Sequence, residues 1–242
     1  MENSTILNTN YLNLTDIKDV EKVLKNMNFE ITEPIGEGSY GKVYKIHHVI
    51  EKKDFVAKLV EINIDENILL EFTKKEIEIL YQENHKNLIK LKFYKTFRNG
   101  LLIVMEYAEK GDLYQYVSKS SLDENHFFAI FKEIFNGIKY LHTRKIQHRD
   151  LKLENILVMK DDIIKICDFG LAQKIDELHN TYKTTIKYKK ADLVGSPHCL
   201  SPEAIGNKEA PFGSVDIWSL GCISYHLIFG FYPFEKFNVN FQ

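Results

Sequence analysis

The sequence is poor in cysteine, tryptophan and proline, carries almost no net charge, and has no long apolar run. Its three cysteines, Cys167, Cys199 and Cys222, are odd in number and lack metal-ligand spacing. That pattern argues against a disulfide scaffold or a zinc site, and free thiols in a reducing compartment are the simplest account. A net charge of −2 provides no global field for nucleic acid or a membrane surface. The opening "MENSTILNTN" lacks a basic region followed by an apolar run, so no signal peptide is expected, and Glu2 stands where myristoylation needs glycine. The most apolar stretch, residues 220–234, is shorter than the roughly 20 residues of a bilayer span and contains His226. A buried helix is expected there, in a soluble protein of the cytoplasm or the nucleus.

What is present is ample core material: 44% of the 242 residues are hydrophobic and 12% aromatic, enough for one large domain or two modest ones. Residues 15–27 space Ile17, Val20, Leu24 and Met27 as an amphipathic helix does. From Phe29 the period shortens, and "FEITEPIGEGSYGKVYKIHHVI" reads as two strands around a glycine turn, with "KKDFVAKLVEI" as a third. One helix, "EFTKKEIEILYQEN", precedes two more strands that end near Tyr107. Past Gly111 the pattern becomes helical, over 113–119, 124–142 and 214–229, with short strands at "ILVM" and "IIKICDF". The expected organisation is an extension over 1–28, a strand-rich unit over 29–107 and a mainly helical unit over 108–242, joined through a hinge at 106–112.

Three motifs carry chemistry. "GEGSYGKV" supplies Gly36, Gly38 and Gly41, whose missing side chains let backbone amides approach phosphate oxygens. No Gly-Lys-Ser/Thr follows, and the chain continues as a strand, so neither a Walker loop nor a dinucleotide site fits. Lys58 lies on an apolar strand and needs a buried carboxylate partner, for which Glu76 on the next helix is placed. "HRDLKLEN" packs charges between two apolar segments; chance clustering is the bland reading, and the "DFG" that follows argues against it. Asp150 can accept or orient a hydroxyl proton, and Lys152 can neutralise a transferring phosphoryl group. Asn155 and Asp168 offer oxygens to Mg²⁺, a hard cation that prefers them. The set suits in-line phosphoryl transfer, which is mostly positioning and charge neutralisation.

The ordered run "GEGSYGKV", "VAK", "HRDLKLEN", "DFG", "SPE" and "DIWSLG" resembles a eukaryotic serine/threonine protein kinase catalytic domain over about residues 29–234. The resemblance implies an α+β, bilobal fold: a small antiparallel-sheet N-lobe with one main helix, and a mainly helical C-lobe. It also implies ATP and Mg²⁺ as cofactors and protein substrates as partners, with no nucleic acid or membrane partner. By the same resemblance Gly36, Glu37, Gly38, Gly41, Val43 and Val56 enclose ATP, with Lys58, paired to Glu76, on its phosphates. Met105, Glu106 and Ala108 line the adenine, and Asp112 and Leu157 complete the nucleotide site. Asp150 is the implied base, Lys152 the phosphate neutraliser, and Asn155 and Asp168 the metal ligands. Leu80, Leu91, His148 and Phe169 match the stacked apolar residues of active kinases, anchored by Asp216. Lys152 and "GSPHCLSPE" resemble serine/threonine enzymes. The phrasing is closest to the calcium/calmodulin- and AMP-activated branch, with NIMA-related and polo-like enzymes also similar. Glu154 and Asp112 either read an arginine upstream of the acceptor or are ordinary exposed carboxylates.

Regulation and departures follow. Arg149 is the residue that, in such kinases, meets an activation-loop phosphate; counting back from Gly195 puts Asp192 at that position, either as an ordinary surface residue or as a partial substitute for the phosphate, with about −1 charge against −1.5 to −2. Thr181, Thr184, Thr185 and Tyr188 are phosphorylation candidates or part of an unregulated insertion. After "GFYPFE" a kinase C-lobe normally continues, so the C-lobe reads as truncated, with a missing segment or regulatory partner implied. Glu203 is then expected to lack its partner, and the helix at 218–229 to expose apolar surface. A non-catalytic binding or decoy module on this scaffold is the alternative to a working kinase.

Overall fold

The computed structural model describes residues 12–38, 41–62, 67–119, 122–175, 185–187, 197–206 and 208–234. They fall into two compact units: residues 1–82 with 90–107, and residues 83–89 with 108–242.

Unit 1 is an antiparallel sheet with a helix on each face. Strands β1 (Phe29–Gly38), β2 (Gly41–His48), β3 (Lys53–Glu61), β4 (Leu91–Phe97) and β5 (Gly100–Glu106) take the order β1-β2-β3-β5-β4. Period-two alternation sorts their side chains cleanly. Phe55, Ala57 and Leu59 of β3 join Ile46, Leu102 and Val104 on one face. That face is covered by α1 (Ile17–Lys25) through Val20, Val23 and Leu24. On the other face Val60, Leu101 and Ile103 pack with Ile77 of α2 (Asn67–Gln82). The helix foreseen at 15–27 starts at Ile17 because Asp16 caps it, its side chain accepting from the N–H of Lys18. Burial of Val20 and Leu24 makes α1 part of the unit's core.

Unit 2 is built around α4 (Glu124–Thr143) and α6 (Ser214–Phe229), with α3 (Leu113–Ser118) and α5 (Pro202–Ile205). Asp123 caps α4 by accepting from the N–H of His126 at 2.8 Å, and left-handed glycines, Gly213 and Gly230, bracket α6. The strands here are short pairs: β6 (Ile146–Gln147) with β9 (Gln173–Lys174), β7 (Ile156–Val158) with β8 (Ile164–Ile166), and β10 (Thr185–Lys187) with β11 (Glu209–Pro211). β6, β9, β10 and β11 carry too few residues to show a period in the sequence. Segment 83–89 belongs to unit 2 although β4 and β5, which follow it, belong to unit 1. It is tied there by Asn87, whose Nδ2 donates to the carbonyl of Ile164, and by exchange of N–H···O bonds with Ile166. None of the helices among the described residues is long and apolar enough to cross a membrane.

Candidate active site

Each unit carries its own set of chemical side chains. In unit 1, Lys58 lies at mid-strand on β3 with Val56 on the same face, both half-buried between fully buried neighbours. Register puts Val43 opposite Lys58 and Met105 opposite Val56, so four of the residues assigned to the nucleotide share one sheet face. The Lys58 ammonium is held by both carboxylate oxygens of Glu76, at 2.9 and 2.8 Å. Glu76 is only 4% exposed, so this is a buried, fully engaged ion pair. The pair fixes α2 against β3 and the ammonium with it.

The glycine hairpin closes between Gly38 and Gly41, which face each other at the end of the β1–β2 ladder, and Glu37 pairs with Lys42. Gly36 and Gly41 differ. A Cβ at Gly41 would fall 1.8 Å from the carbonyl oxygen of Leu59, and its φ is +136°, so β3 itself requires glycine there. A Cβ at Gly36 would meet nothing within 4 Å. The protein's own packing therefore leaves the bare backbone at Gly36 unexplained, and a ligand approaching it closely would account for it. At the end of β5 the N–H of Glu106 donates to the carbonyl of Lys90 at 3.1 Å.

In unit 2 the run 148–155 is a hydrogen-bonded loop. Asp150 is 8% exposed and its Oδ2 accepts from Asn155 Nδ2 at 2.9 Å. Lys152 Nζ lies 3.1 Å from that same oxygen. Asn155 Nδ2 also donates to the Asp150 carbonyl at 2.8 Å. Both of its partners are acceptors, which fixes the amide's orientation and leaves Oδ1 unspent among the described residues. The carboxylate of Asp168 shows no hydrogen bond or close ion pair among the described residues, feeling the Lys152 ammonium only at longer range, and its backbone sits at φ 63°. An amide oxygen and an uncommitted carboxylate are the donor types that a hard divalent cation takes. Desolvation pulls the Lys152 ammonium's pKa down, but the carboxylates of Asp150, Asp168 and Glu154 outweigh it and hold the pKa above the usual lysine value. Lys152 is thus a fixed cation in an acidic setting.

His148 supports the loop from below. Its Nε2 donates to the carbonyl of Cys167 at 2.9 Å, a group that can only accept, and its Nδ1 accepts from the N–H of Asp150 at 3.3 Å. Its ring lies 5.2 Å from the buried Phe169 ring. Asp216 accepts from the backbone N–H groups of His148 and Arg149 at 2.9 and 2.8 Å. Leu80 is buried and Leu91 half-buried, both within unit 1.

The remaining candidates are placed as follows. Ala108 is buried. Asp112 spends its Oδ1 on capping α3 through the N–H of Gln115, at 2.7 Å, and bridges to Leu157 of β7. Glu154 is exposed. Arg149 donates from Nη1 to Gln173 Oε1 at 3.3 Å. Thr185 begins β10, whereas Thr181, Thr184, Tyr188 and Asp192 lie outside the described residues. Glu203 has no ion-pair partner among the described residues, and Ile217, Ile228 and Phe229 of α6 are each more than half exposed. Cys167 is half-buried, Cys199 and Cys222 are buried, and none of the three is in a disulfide. Burial pushes the Cys222 thiol up to about 11 and raises that of Cys199 as well, so neither is a nucleophile near neutrality. Among the described residues no cluster of three or more His, Cys, Asp or Glu could hold a metal. No local pattern marks Asn87, Gln147 or His142, whose polar contacts span long sequence separations.

Residues 29–241 match the family model described as protein kinase domain. The chain is 36% identical over 210 residues to the human protein named NUAK family SNF1-like kinase 2, covering 86% of this chain and 32% of that protein. It is 35% identical over 214 residues to mouse NUAK family SNF1-like kinase 1 (87% and 31%). It is also 35% identical over 218 residues to the mouse serine/threonine-protein kinase Nek5 (87% and 32%). The chain therefore spans about a third of the length of the curated relatives it matches. The SNF1-like relatives agree with the AMP-activated branch, and the similarity to Nek5 is nearly as high.

Proposed function

The chain belongs to the protein kinase domain family, and from that premise we propose that it transfers the γ-phosphoryl group of ATP to serine and threonine hydroxyls of protein substrates. The observation that carries the reading is the loop 148–155, where one carboxylate, Asp150, is held by Asn155 and Lys152 at hydrogen-bond distance. The acceptor's hydroxyl oxygen forms a bond to the γ-phosphorus, the bond from that phosphorus to the β–γ bridging oxygen breaks, and ADP leaves. The hydroxyl proton passes to the Asp150 carboxylate, which orients the hydroxyl beforehand. Lys152 remains cationic throughout and offsets charge on the transferring group. Lys58 holds the α- and β-phosphates, and Glu76 holds Lys58.

Asn155 and Asp168 are the residues that would hold Mg²⁺, which neutralises phosphate charge when bound. Among carboxylates that could read a basic residue upstream of the acceptor, exposed Glu154 is the stronger candidate. Asp112 is committed to the α3 cap. The part given to Asp192 opposite Arg149 rests on sequence position.

The test is steady-state kinetics with a serine-containing basic peptide. Asp150→Asn is expected to lower kcat by about 10²–10⁴-fold, the usual worth of a positioned base, with the KM for ATP within a few fold. Wild-type protein that binds nucleotide but never labels peptide would end this reading in favour of a non-catalytic binding module.

A further inference from the structure

Side chains of β1, β2 and β3 converge on one ammonium of unit 1 that phosphoryl transfer as derived above does not use. Lys45 of β2 lies opposite Glu33 of β1 in one ladder and opposite Val56 of β3 in the other. It therefore stands on the sheet face that carries Val43, Val56 and Lys58. Its Nζ is 3.4 Å from Oε1 of Glu33 and 3.3 Å from Oδ2 of Asp54, also on β3. Oδ1 of Asp54 meets His47 Nδ1 at 2.7 Å, so both oxygens of that carboxylate are engaged. The same ammonium sits over the ring of Tyr107, 4.8 Å from its centroid.

Exposed ion pairs contribute little stability by themselves, and Glu33 is 59% exposed. Their effect here is directional. Carboxylates from the strands on either side of β2 hold the end of a flexible lysine chain over a single ring. A cation is attracted to the negative face of a tyrosine ring, more strongly where water is partly excluded. The Lys45 side chain is only 22% exposed, and Tyr107 is half-buried. Among the described residues the Tyr107 hydroxyl makes no hydrogen bond, so packing and the Lys45 ammonium hold the ring. Tyr107 directly follows Glu106, the last residue of β5, whose N–H donates to the Lys90 carbonyl. The ring thus lies beside the backbone that the kinase resemblance assigns to adenine.

We propose that Lys45 is a positioning residue: steered by Glu33 and Asp54, it fixes the Tyr107 ring and with it the backbone at Glu106 that faces adenine. Its kinetic consequence rests on the phosphotransfer reading above; its consequence for the backbone does not. An ammonium that touched the nucleotide itself would act independently of the ring. One that acts through Tyr107 has nothing left to hold once the ring is gone. Methionine at position 45 keeps an apolar stem and removes the charge, whereas arginine keeps the charge and stacks on an aromatic face.

The experiment compares wild-type protein with Lys45→Met, Lys45→Arg, Tyr107→Leu and the double variant Lys45→Met with Tyr107→Leu, by ATP kinetics and amide hydrogen exchange. Lys45→Met is expected to raise the KM for ATP about three- to fivefold, the worth of one cation–π contact, with kcat within about twofold. The amides of Glu106 and Tyr107 should exchange about three- to fivefold faster in the same variant, as a locally loosened segment does. Lys45→Arg should recover both quantities to within about twofold of wild type. The double variant should match Tyr107→Leu alone, because residues that act through one contact are not additive. An unchanged KM in Lys45→Met, or a further rise when it is added to Tyr107→Leu, would overturn the proposal. Wild-type protein without turnover would instead count against the phosphotransfer reading. The exchange rates would then decide the part of Lys45, and unchanged rates at Glu106 and Tyr107 in Lys45→Met would overturn it.

Discussion

At Gly41 an added methyl group would collide with the backbone of β3, whereas at Gly36 it would point into open space. The two positions should therefore separate folding from ligand approach. Gly41→Ala is expected to destabilise the protein by more than about 2 kcal/mol, since neither the left-handed φ nor the β3 carbonyl can yield cheaply. Gly36→Ala should leave the unfolding midpoint within about 0.5 kcal/mol, as for an unconstrained surface change, while raising the KM for ATP. Denaturant titration beside ATP kinetics reads both; a Gly36→Ala variant with unaltered KM would remove that glycine from the nucleotide site. Lys58 poses a second residue-scale question. Truncating it to methionine strands the Glu76 carboxylate in a buried place, which typically costs about 3–5 kcal/mol. The double variant Lys58→Met with Glu76→Met should be more stable than Lys58→Met alone, because no unpaired charge is left. Equal midpoints for the two would mean that Glu76 finds water or another cation once Lys58 is gone.

Among the elements, α4 organises unit 2 through one acidic side chain. Glu133 takes Lys86 Nζ at 2.6 Å on one oxygen. Its other oxygen accepts from the N–H of Ile164 and from Asn87 Nδ2, at 2.9 and 3.2 Å. It thus joins α4 to β8 and to segment 83–89, and Gly137 one turn further lets the same segment approach closely, with a built Cβ only 3.2 Å from Asn87. Burial alone would raise the Glu133 pKa, but the hydrogen bonds from Lys86 and Ile164 lower it below the usual glutamate value. A carboxylate whose pKa is depressed on folding adds stability above its unfolded value, about 4.3, and that contribution is lost as the pH falls through the lower folded value. Wild-type stability should accordingly drop across this acid range more steeply than that of Glu133→Gln, measured by thermal melts between about pH 3 and 6. Parallel melts for the two proteins would show that the pair contributes no pH-dependent stability.

Over the whole molecule, apolar surface is unevenly spread. Ile228 and Phe229 are 58% and 56% exposed at the end of α6, with Phe231 and Phe234 just beyond at 48% and 43%. Large apolar side chains exposed this close together in the chain favour self-association. Ile228→Glu is expected to raise the concentration at which light scattering first appears, and to move the unfolding midpoint by no more than about 0.5 kcal/mol, since so little of Ile228 is buried. If scattering is unchanged, aggregation is driven from another surface.

The sequence by itself determined the longer elements and the chemical inventory. β3 was legible in "FVAK" and α4 in its apolar spacing, because period-two and period-3.6 patterns are local properties of the chain. The run "HRDLKLEN" announced its chemistry because those residue types have few other reasons to cluster between apolar segments. Four things came only from the tertiary structure: the capture of segment 83–89 by unit 2, the contrast between Gly36 and Gly41, the placement of α1 on the sheet face opposite Lys58, and the meeting of His142 with Asp216. Each depends on a contact between residues distant in sequence. Such contacts are set by which apolar faces are buried together and which buried polar atoms then find partners, and nothing in the local pattern around a single histidine or glycine encodes that choice.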